Sequence, residues 1–409
     1  MISVKKAQLI ISKNIRPLGV ESVLFNNTRN RVLAQDIIAS IPMPQFDNSA
    51  MDGFAVRAAD TEGANQSSPK TLIMAGVSSA GASSNITLQP GECAQCMTGG
   101  KIPKGADSIV IVENSSGFLD SKRIEIFKEA KIGEHIRKQG EEVQKGDVVI
   151  SKGTCITSSE IGILATFGCE KVSVMIKPKV AIFTTGNELI EPGNKIRLGQ
   201  IYNSNFYMFL DLVEQSGAEI VMSEVIKDDK GSLEKSFYKA LQICDIIISS
   251  GGVSMGRFDY VREVYNELGV QEHFWKIAQK PGKPLFFGTR GSSLIFGLPG
   301  NPVSSFICYM KYIDPVIQNS QNKKRNSEEH QGILTKDFPV DSKKHRYLFG
   351  KSWIDSHGKL LCTPTSKMGS HMLTASLRSN CILESPPGKH ELKAGDKITI
   401  NLLNWRNFK

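Results

Sequence analysis

The chain has 409 residues, more than one hydrophobic core ordinarily serves, so two to four domains are expected. Its hydrophobic content of 40% suits a soluble globular protein, and no apolar run approaches the ~20 residues that a membrane-spanning helix needs. The formal charge of +9 raises a nucleic-acid reading, yet the basic residues are dispersed among acidic ones, and small anionic ligands suit this charge at least as well as DNA does.

The opening MISVKKAQLIISKNIR reads as an amphipathic helix and not a signal peptide, because no small-residue cleavage site follows. The helix is expected over much of the first ~40 residues, with a short strand around RVLAQDIIAS. From Thr71 to Glu142, short alternating segments (TLIMAGV, SIVIVE, RIEIF) separated by glycine-rich turns predict an inserted β module. GTCITSSEIGILATFG then predicts a turn and a helix, with Ser158 or Ser159 as the cap.

From Lys177 the pattern changes. The apolar strands KVAIFTTG, EIVMSEVIKDD, DIIISSGG and SSLIFGLPGNP alternate with the amphipathic helices NFYMFLDLVEQSG, GSLEKSFYKALQIC and FDYVREVYNEL. That alternation predicts a doubly wound parallel sheet covered on both faces. NSQNKKRNSEEHQG reads as a linker, and the remaining short strands (RYLFGKSW, KLLCTP, CILES, KITINLL) predict a C-terminal β barrel or sandwich. The class is therefore α/β multidomain. The expected division is an N-terminal linking domain of 1–45 and 143–177, the β module of 46–142, the doubly wound domain of 178–322 and the β domain of 330–409.

Ligands of open parallel sheets bind beyond the carboxyl ends of the strands. One such end is Gly251-Gly252-Val253-Ser254-Met255-Gly256, whose glycines let the backbone approach an anion. It is neither the dinucleotide fingerprint nor a P-loop. A second end carries Glu188 in TTGNEL, where a carboxylate could hold a cation or a nucleotide hydroxyl, and a third is GLPGNP with Pro299. Lys276, Lys280 and Lys283 lie between them at spacings of four and three, a repulsive arrangement unless an anion is present. With the carboxylates Glu188, Asp228 and Asp259 they describe a site for Mg²⁺ plus phosphate.

Asp47, Asn48, Ser49 and Asp52 in FDNSAMDGFAV, and Thr98, Gly99 and Gly100 in CMTGGKIPKGAD, form polar turns that folding alone does not explain. No HExxH or Cys/His cluster is present. Among eight cysteines Cys93 and Cys96 form the single CxxC, and buried thiols in a reducing cytoplasm are expected over a redox pair.

The ordered set FDNSAMDGFAV, MTGGKIPKGAD, TTGNEL, SSGGVSMGRFDY, KPGKP and GLPGNPVS resembles the molybdopterin molybdenumtransferase family, to which one half of gephyrin is related, from about Leu18 to Leu403. The resemblance implies a cytoplasmic homodimer of four-domain subunits. It implies adenylylated molybdopterin and molybdate as substrates, Mg²⁺ assisting loss of AMP, and molybdopterin adenylyltransferase as a candidate partner. Carried over by motif, Asp52 and Thr98 would close the site from the partner subunit. Glu188, Asp228 and Asp259 would surround metal and nucleotide, with Glu188 and Asp259 as metal ligands. Gly251, Gly252, Ser254, Gly256 and Pro299 would bind the pterin substrate; Lys276, Lys280, Lys283, Arg346 and Ser370 would bind phosphate or molybdate.

Three positions depart from the family pattern: Gln95 stands near an expected arginine, Gly100 replaces the commoner alanine, and Lys351 stands where a second arginine is expected after Arg346. Lysine keeps the charge and loses the bidentate fork. Two rival readings remain at this point, adenylylation of molybdopterin by the same sheet domain and a scaffold that has lost its chemistry. The extra N- and C-terminal segments argue against the first, and the retained Glu188, Asp228, Asp259 and lysines against the second.

Overall fold

The computed structural model describes residues 1–81, 85–118, 121–252, 260–323 and 329–403. They fall into two units, Met1–Ala34 with Gly153–Thr157 and Lys171–Lys409, and Gln35–Lys152 with Ser158–Glu170.

In the first unit the opening helix spans Val4–Asn14, capped by Ser3 Oγ, which accepts from Lys6 N at 3.2 Å. It ends well short of the expected ~40 residues because Pro17 follows within one turn, with Gly19 two residues later. Val4, Ala7 and Ile11 form its buried face. Strand Val20–Leu24 then pairs antiparallel with Lys171–Met175.

The sheet domain runs β1 (Lys179–Thr185), α1 (Ser204–Gln215), β2 (Glu219–Ile226), α2 (Lys230–Ile243), β3 (Ile246–Ser250), α3 (Tyr260–Glu267), β4 (Gln271–Lys276), β5 (Gln279–Lys280), β6 (Pro284–Arg290), β7 (Ser293–Leu298) and α4 (Pro302–Cys308). The order in its six-stranded sheet is β2-β1-β3-β7-β6-β4. The first four are parallel, and β6 and β4 add an antiparallel edge that the sequence pattern did not show. Every residue of β3 and β7 is buried, which is why these strands read as continuous apolar runs. On one face Phe183, Phe237, Tyr265 and Phe286 form a column with centroid separations of 5.4, 4.3 and 5.4 Å, the first pair tilted and the other two stacked. It joins α2 and α3 to β1 and β6.

The barrel follows with β8 (Glu329–Leu334), β9 (His345–Ile354), β10 (Leu360–Pro364), β11 (Cys381–Ser385) and β12 (Lys397–Leu402). β8 lies in a segment the sequence reading assigned to the linker. The pairings β9-β10-β8-β12-β11 close on β9 into a five-stranded barrel, and β5 attaches to β9 from outside.

The second unit holds a five-stranded sheet in the order Ser108–Ile111, Gly53–Val56, Glu92–Cys96, Lys70–Ser78, Arg123–Ile126. Ser158–Thr166 is helical, as its pattern predicts. Cys93 and Cys96 are buried on a strand and free. Burial pushes their thiols up to about 12 and about 11, so they are neither a disulfide nor a pair of thiolates at neutral pH. Among the described residues no helix is long and apolar enough to cross a membrane.

Phe237→Ala empties the middle of the aromatic column. The expected loss of unfolding free energy is about 3–5 kcal/mol by denaturant titration; a loss below ~1 kcal/mol would show that the column does not hold the helices to the sheet.

Candidate active site

The chain leaves β1 for β2 on one side and returns to β3 on the other, so the crossovers diverge beside β1 and leave a crevice at the carboxyl ends. A cleft of about 590 Å³ opens there, lined among others by Thr184, Thr185, Glu188, Gly251, Pro299 and His371. Gly251 and Gly252 have φ of +96° and +62°. A Cβ on Gly251 would lie 2.2 Å from the Thr185 carbonyl oxygen, and one on Gly252 would lie 2.6 Å from Val261 Cγ2. Only glycine brings the main chain this close at the end of β3.

Asparagines tie the strand ends together. Asn203 Nδ2 donates to Thr184 Oγ1 at 2.8 Å while its Oδ1 caps α1. Asn205 Nδ2 donates to Ser250 Oγ at 2.9 Å and to the Gly300 carbonyl at 2.8 Å, fixing the Pro299 loop to β3. Glu188 lines the cleft and is exposed. Asp228 stands beyond β2, accepts from Thr185 Oγ1 at 3.2 Å, and is not among the lining residues.

A second cleft, of about 380 Å³, shares Pro284 and Asn301 with the first. Lys280, Lys283, Lys344, Arg346, Ser304 and Ser370 line it. β5 and β9 pair with Lys280 in register with Arg346, which sets two cations side by side. Arg346 is only 9% exposed, its Nε is buried without a partner, and among the described residues no carboxylate lies within ion-pair distance of it. Burial lowers its pKa, with Asp341 acting weakly in the opposite sense. A guanidinium and lysines converging with no carboxylate in the lining make a receptor for an oxyanion. Ser370 is held at the rim, its carbonyl accepting from Val303 N at 3.1 Å and its Oγ from Asn301 Nδ2 at 3.3 Å.

Lys276 is not brought to this cleft; its Nζ lies 3.8 Å from the centre of the Trp275 ring, an attraction that draws the ammonium elsewhere. Lys344, absent from the sequence-based set, takes a place in it, and its spacing of two from Arg346 along the strand approach was the available signal. Lys351 is exposed on β9 and lines neither cleft. Ser254, Gly256 and Asp259 lie outside the described residues.

In the second unit Asp52 and Thr98 meet. Asp52 Oδ1 accepts from Thr98 N at 2.6 Å and from Thr98 Oγ1 at 2.7 Å, and both residues are exposed. The Thr98 amide, then its hydroxyl, lower the Asp52 pKa. The rest of the FDNS turn is structural: Asp47 accepts from Gln139 N at 2.8 Å and Lys138 Nζ at 2.9 Å, and Ser49 Oγ donates to Met51 O at 2.5 Å. The Gly100 departure has a steric reason, since a Cβ there would lie 2.5 Å from the Ser78 carbonyl oxygen. Gln95 donates to Met97 Sδ at 3.6 Å.

Three family models match the chain: the MoeA N-terminal region (domain I and II) over residues 2–168, the probable molybdopterin binding domain over 181–319, and the MoeA C-terminal region (domain IV) over 331–403. The molybdopterin molybdenumtransferase of Haemophilus influenzae is 34% identical over 391 residues, covering 95% of each chain. That of Bacillus subtilis is 34% identical over 394 residues, covering 95% of this chain and 90% of its own. The crystal structure of the molybdopterin biosynthesis MoeA protein from Pyrococcus horikoshii OT3 superposes with a TM-score of 0.80 at 29% identity, covering 98% of this chain and 100% of that one.

Because its folded-state pKa is depressed, Asp52 contributes stability that is present above the ordinary aspartate pKa and lost as pH falls through the lowered value. Thr98→Val removes one of the two donors, so the Asp52 pKa is expected to rise towards the ordinary value in an NMR titration. An unchanged pKa would show that the hydroxyl does not hold the carboxylate.

Proposed function

The chain belongs to the molybdopterin molybdenumtransferase family, a transferase of molybdenum cofactor biosynthesis, and we propose that it inserts molybdenum from molybdate into adenylylated molybdopterin with Mg²⁺-dependent release of AMP. The observation that carries this reading is the joining of two clefts at Pro284 and Asn301. One is a glycine-lined crevice of nucleotide size; the other is a cationic receptor with no carboxylate in its lining.

In this reading the Gly251-Gly252 main chain lies against the phosphates of the pterin substrate, where a Cβ would keep them off. Lys280, Lys283, Lys344 and Arg346 hold molybdate, with the Ser370 hydroxyl as a further donor. The Pro299 loop, fixed by Asn205, sets the border between the two ligands.

Among the described residues no three His, Cys, Asp or Glu side chains cluster as a metal cage. Mg²⁺ takes one or two carboxylates and completes its shell with water and substrate phosphates, and the exposed carboxylate of Glu188 in the lining of the first cleft fits that donor chemistry. Bound there it would offset phosphate charge as AMP departs.

We further propose a homodimer in which Asp52 and Thr98 of one subunit serve the cleft of the other, as the family resemblance implies. The adenylylated substrate must come from an adenylyl-transfer enzyme, which makes molybdopterin adenylyltransferase the expected partner.

Glu188→Gln should lower molybdate-dependent AMP release by about 10²-fold, as loss of a charge-stabilising group does, with the fold unchanged by circular dichroism. Turnover near that of the wild type would sink the role of Glu188. The dimer is tested by mixing. Each cleft of an Asp52→Ala/Glu188→Ala heterodimer would carry both lesions or neither, so purified mixed dimers should recover about half of wild-type activity. Mixed dimers that stay inactive after proven exchange would place both residues in one subunit's site.

A further inference from the structure

Beneath the oxyanion cleft lies a buried polar floor to which no role has yet been given. Gln279 is fully buried, and its side chain is used at both ends. Its Oε1 accepts from Tyr312 Oη, and its Nε2 donates to the Gly282 carbonyl at 3.1 Å. Nε2 also lies 3.5 Å from Cys308 Sγ, and that thiol donates to the same Gly282 carbonyl at 3.7 Å. Burial pushes the Cys308 thiol up to about 12, so it remains a neutral donor.

Packing at this point is closed. Gly282 has φ of +85°, and a Cβ on it would lie 2.6 Å from Gln279 Nε2 and 2.7 Å from Cys308 Sγ. The neck of the loop is fastened as well, since Ile277 N donates to Lys283 O at 3.0 Å and His345 N donates to Ala278 O at 2.8 Å. The two lysines of the cleft, Lys280 and Lys283, therefore flank a peptide whose carbonyl oxygen is bonded to buried side chains.

The consequence is electrostatic. A carbonyl oxygen carries partial negative charge and is repelled by an oxyanion, whereas ammonium groups attract one. Holding the Gly282 oxygen on buried donors directs that negative end away from the anion, and the same bonds fix the spacing of the flanking lysines. Without them that carbonyl loses its buried donors, and its orientation rests on the backbone bonds of the loop neck alone.

We propose that Gln279, oriented by Tyr312, is a positioning residue for oxyanion binding: it anchors the Gly282 carbonyl away from the cleft and so presents Lys280 and Lys283 in their binding arrangement. This rests on the reading of the cationic cleft as the molybdate site. It assigns a share of the affinity to an uncharged, fully buried residue that acts through the Gly282 carbonyl.

The test uses the full-length protein and sodium molybdate alone, with binding followed by isothermal titration calorimetry at several salt concentrations. Gln279→Met keeps the shape and every cation but removes the three hydrogen bonds of the amide, leaving only the Cys308 thiol on the Gly282 carbonyl. It is expected to weaken molybdate binding about tenfold or more, the worth of a lost buried hydrogen bond. Its salt dependence should stay that of the wild type, because no charge is lost, whereas Lys280→Ala should bind weakly with a shallower salt dependence. Tyr312→Phe, which removes only the hydroxyl that orients the amide, should fall between wild type and Gln279→Met. A merely structural role would lower the melting temperature and leave affinity alone.

Wild-type affinity in folded Gln279→Met, with Lys280→Ala weakened, would overturn the positioning role and leave the cleft assignment standing. Should Gln279→Met fail to fold, Tyr312→Phe decides, and wild-type affinity there overturns the proposal. Wild-type protein that takes up no molybdate, or a Lys280→Ala variant that binds as wild type does, would overturn the cleft assignment and the positioning role with it.

Discussion

Lys280 and Arg346 stand in register on neighbouring strands, with no carboxylate within ion-pair distance of either among the described residues. Like charges set opposite each other cost stability, and a guanidinium that is nine-tenths buried costs more, so the fold around them must be held by other means. Much of the first unit supplies those means. The closed barrel fixes β9, the floor of Gln279, Tyr312 and Cys308 fixes the loop of Lys280 and Lys283, and the antiparallel edge of β4 and β6 brackets that loop in the sheet domain.

Elsewhere in the same unit a buried cation is treated differently. Lys311, 8% exposed, is matched by Glu384 at 2.7 Å and Asn401 at 3.1 Å. Its charge is neutralised inside the protein, and nothing remains for a ligand. The contrast separates a structural cation from a receiving one. Both are buried, and of the two only Arg346 has no carboxylate within ion-pair distance among the described residues.

The sheet end works by a complementary rule. There the main chain is brought forward, and polar side chains are occupied in holding it. Asn203, Asn205 and Thr185 bond to neighbouring strand ends, so Glu188 is left facing the cleft as a carboxylate without such a task in the framework. The β module follows this division too: Asp47, Asn48 and Ser49 build their turn, while Asp52 is ionised, exposed and braced by Thr98.

The alternation of apolar strands and amphipathic helices was legible because burial on both faces writes itself into local periodicity. The demand for glycine at 251 and 252, the exposed carboxylate at 188 and the special character of FDNSAMDG and MTGG were legible for the same reason, each being a property of a short turn. The opening helix was read too long because apolar spacing outweighed Pro17 and Gly19, and β4 and β6 were missed among prolines and lysines that resemble loop. Tertiary structure alone decided that Lys276 stays out of the cleft and that Asp228 stands behind Thr185. It also decided that Gln279 reaches Tyr312. Those outcomes depend on strand register and side-chain direction between segments distant in the chain, where no local period carries the information.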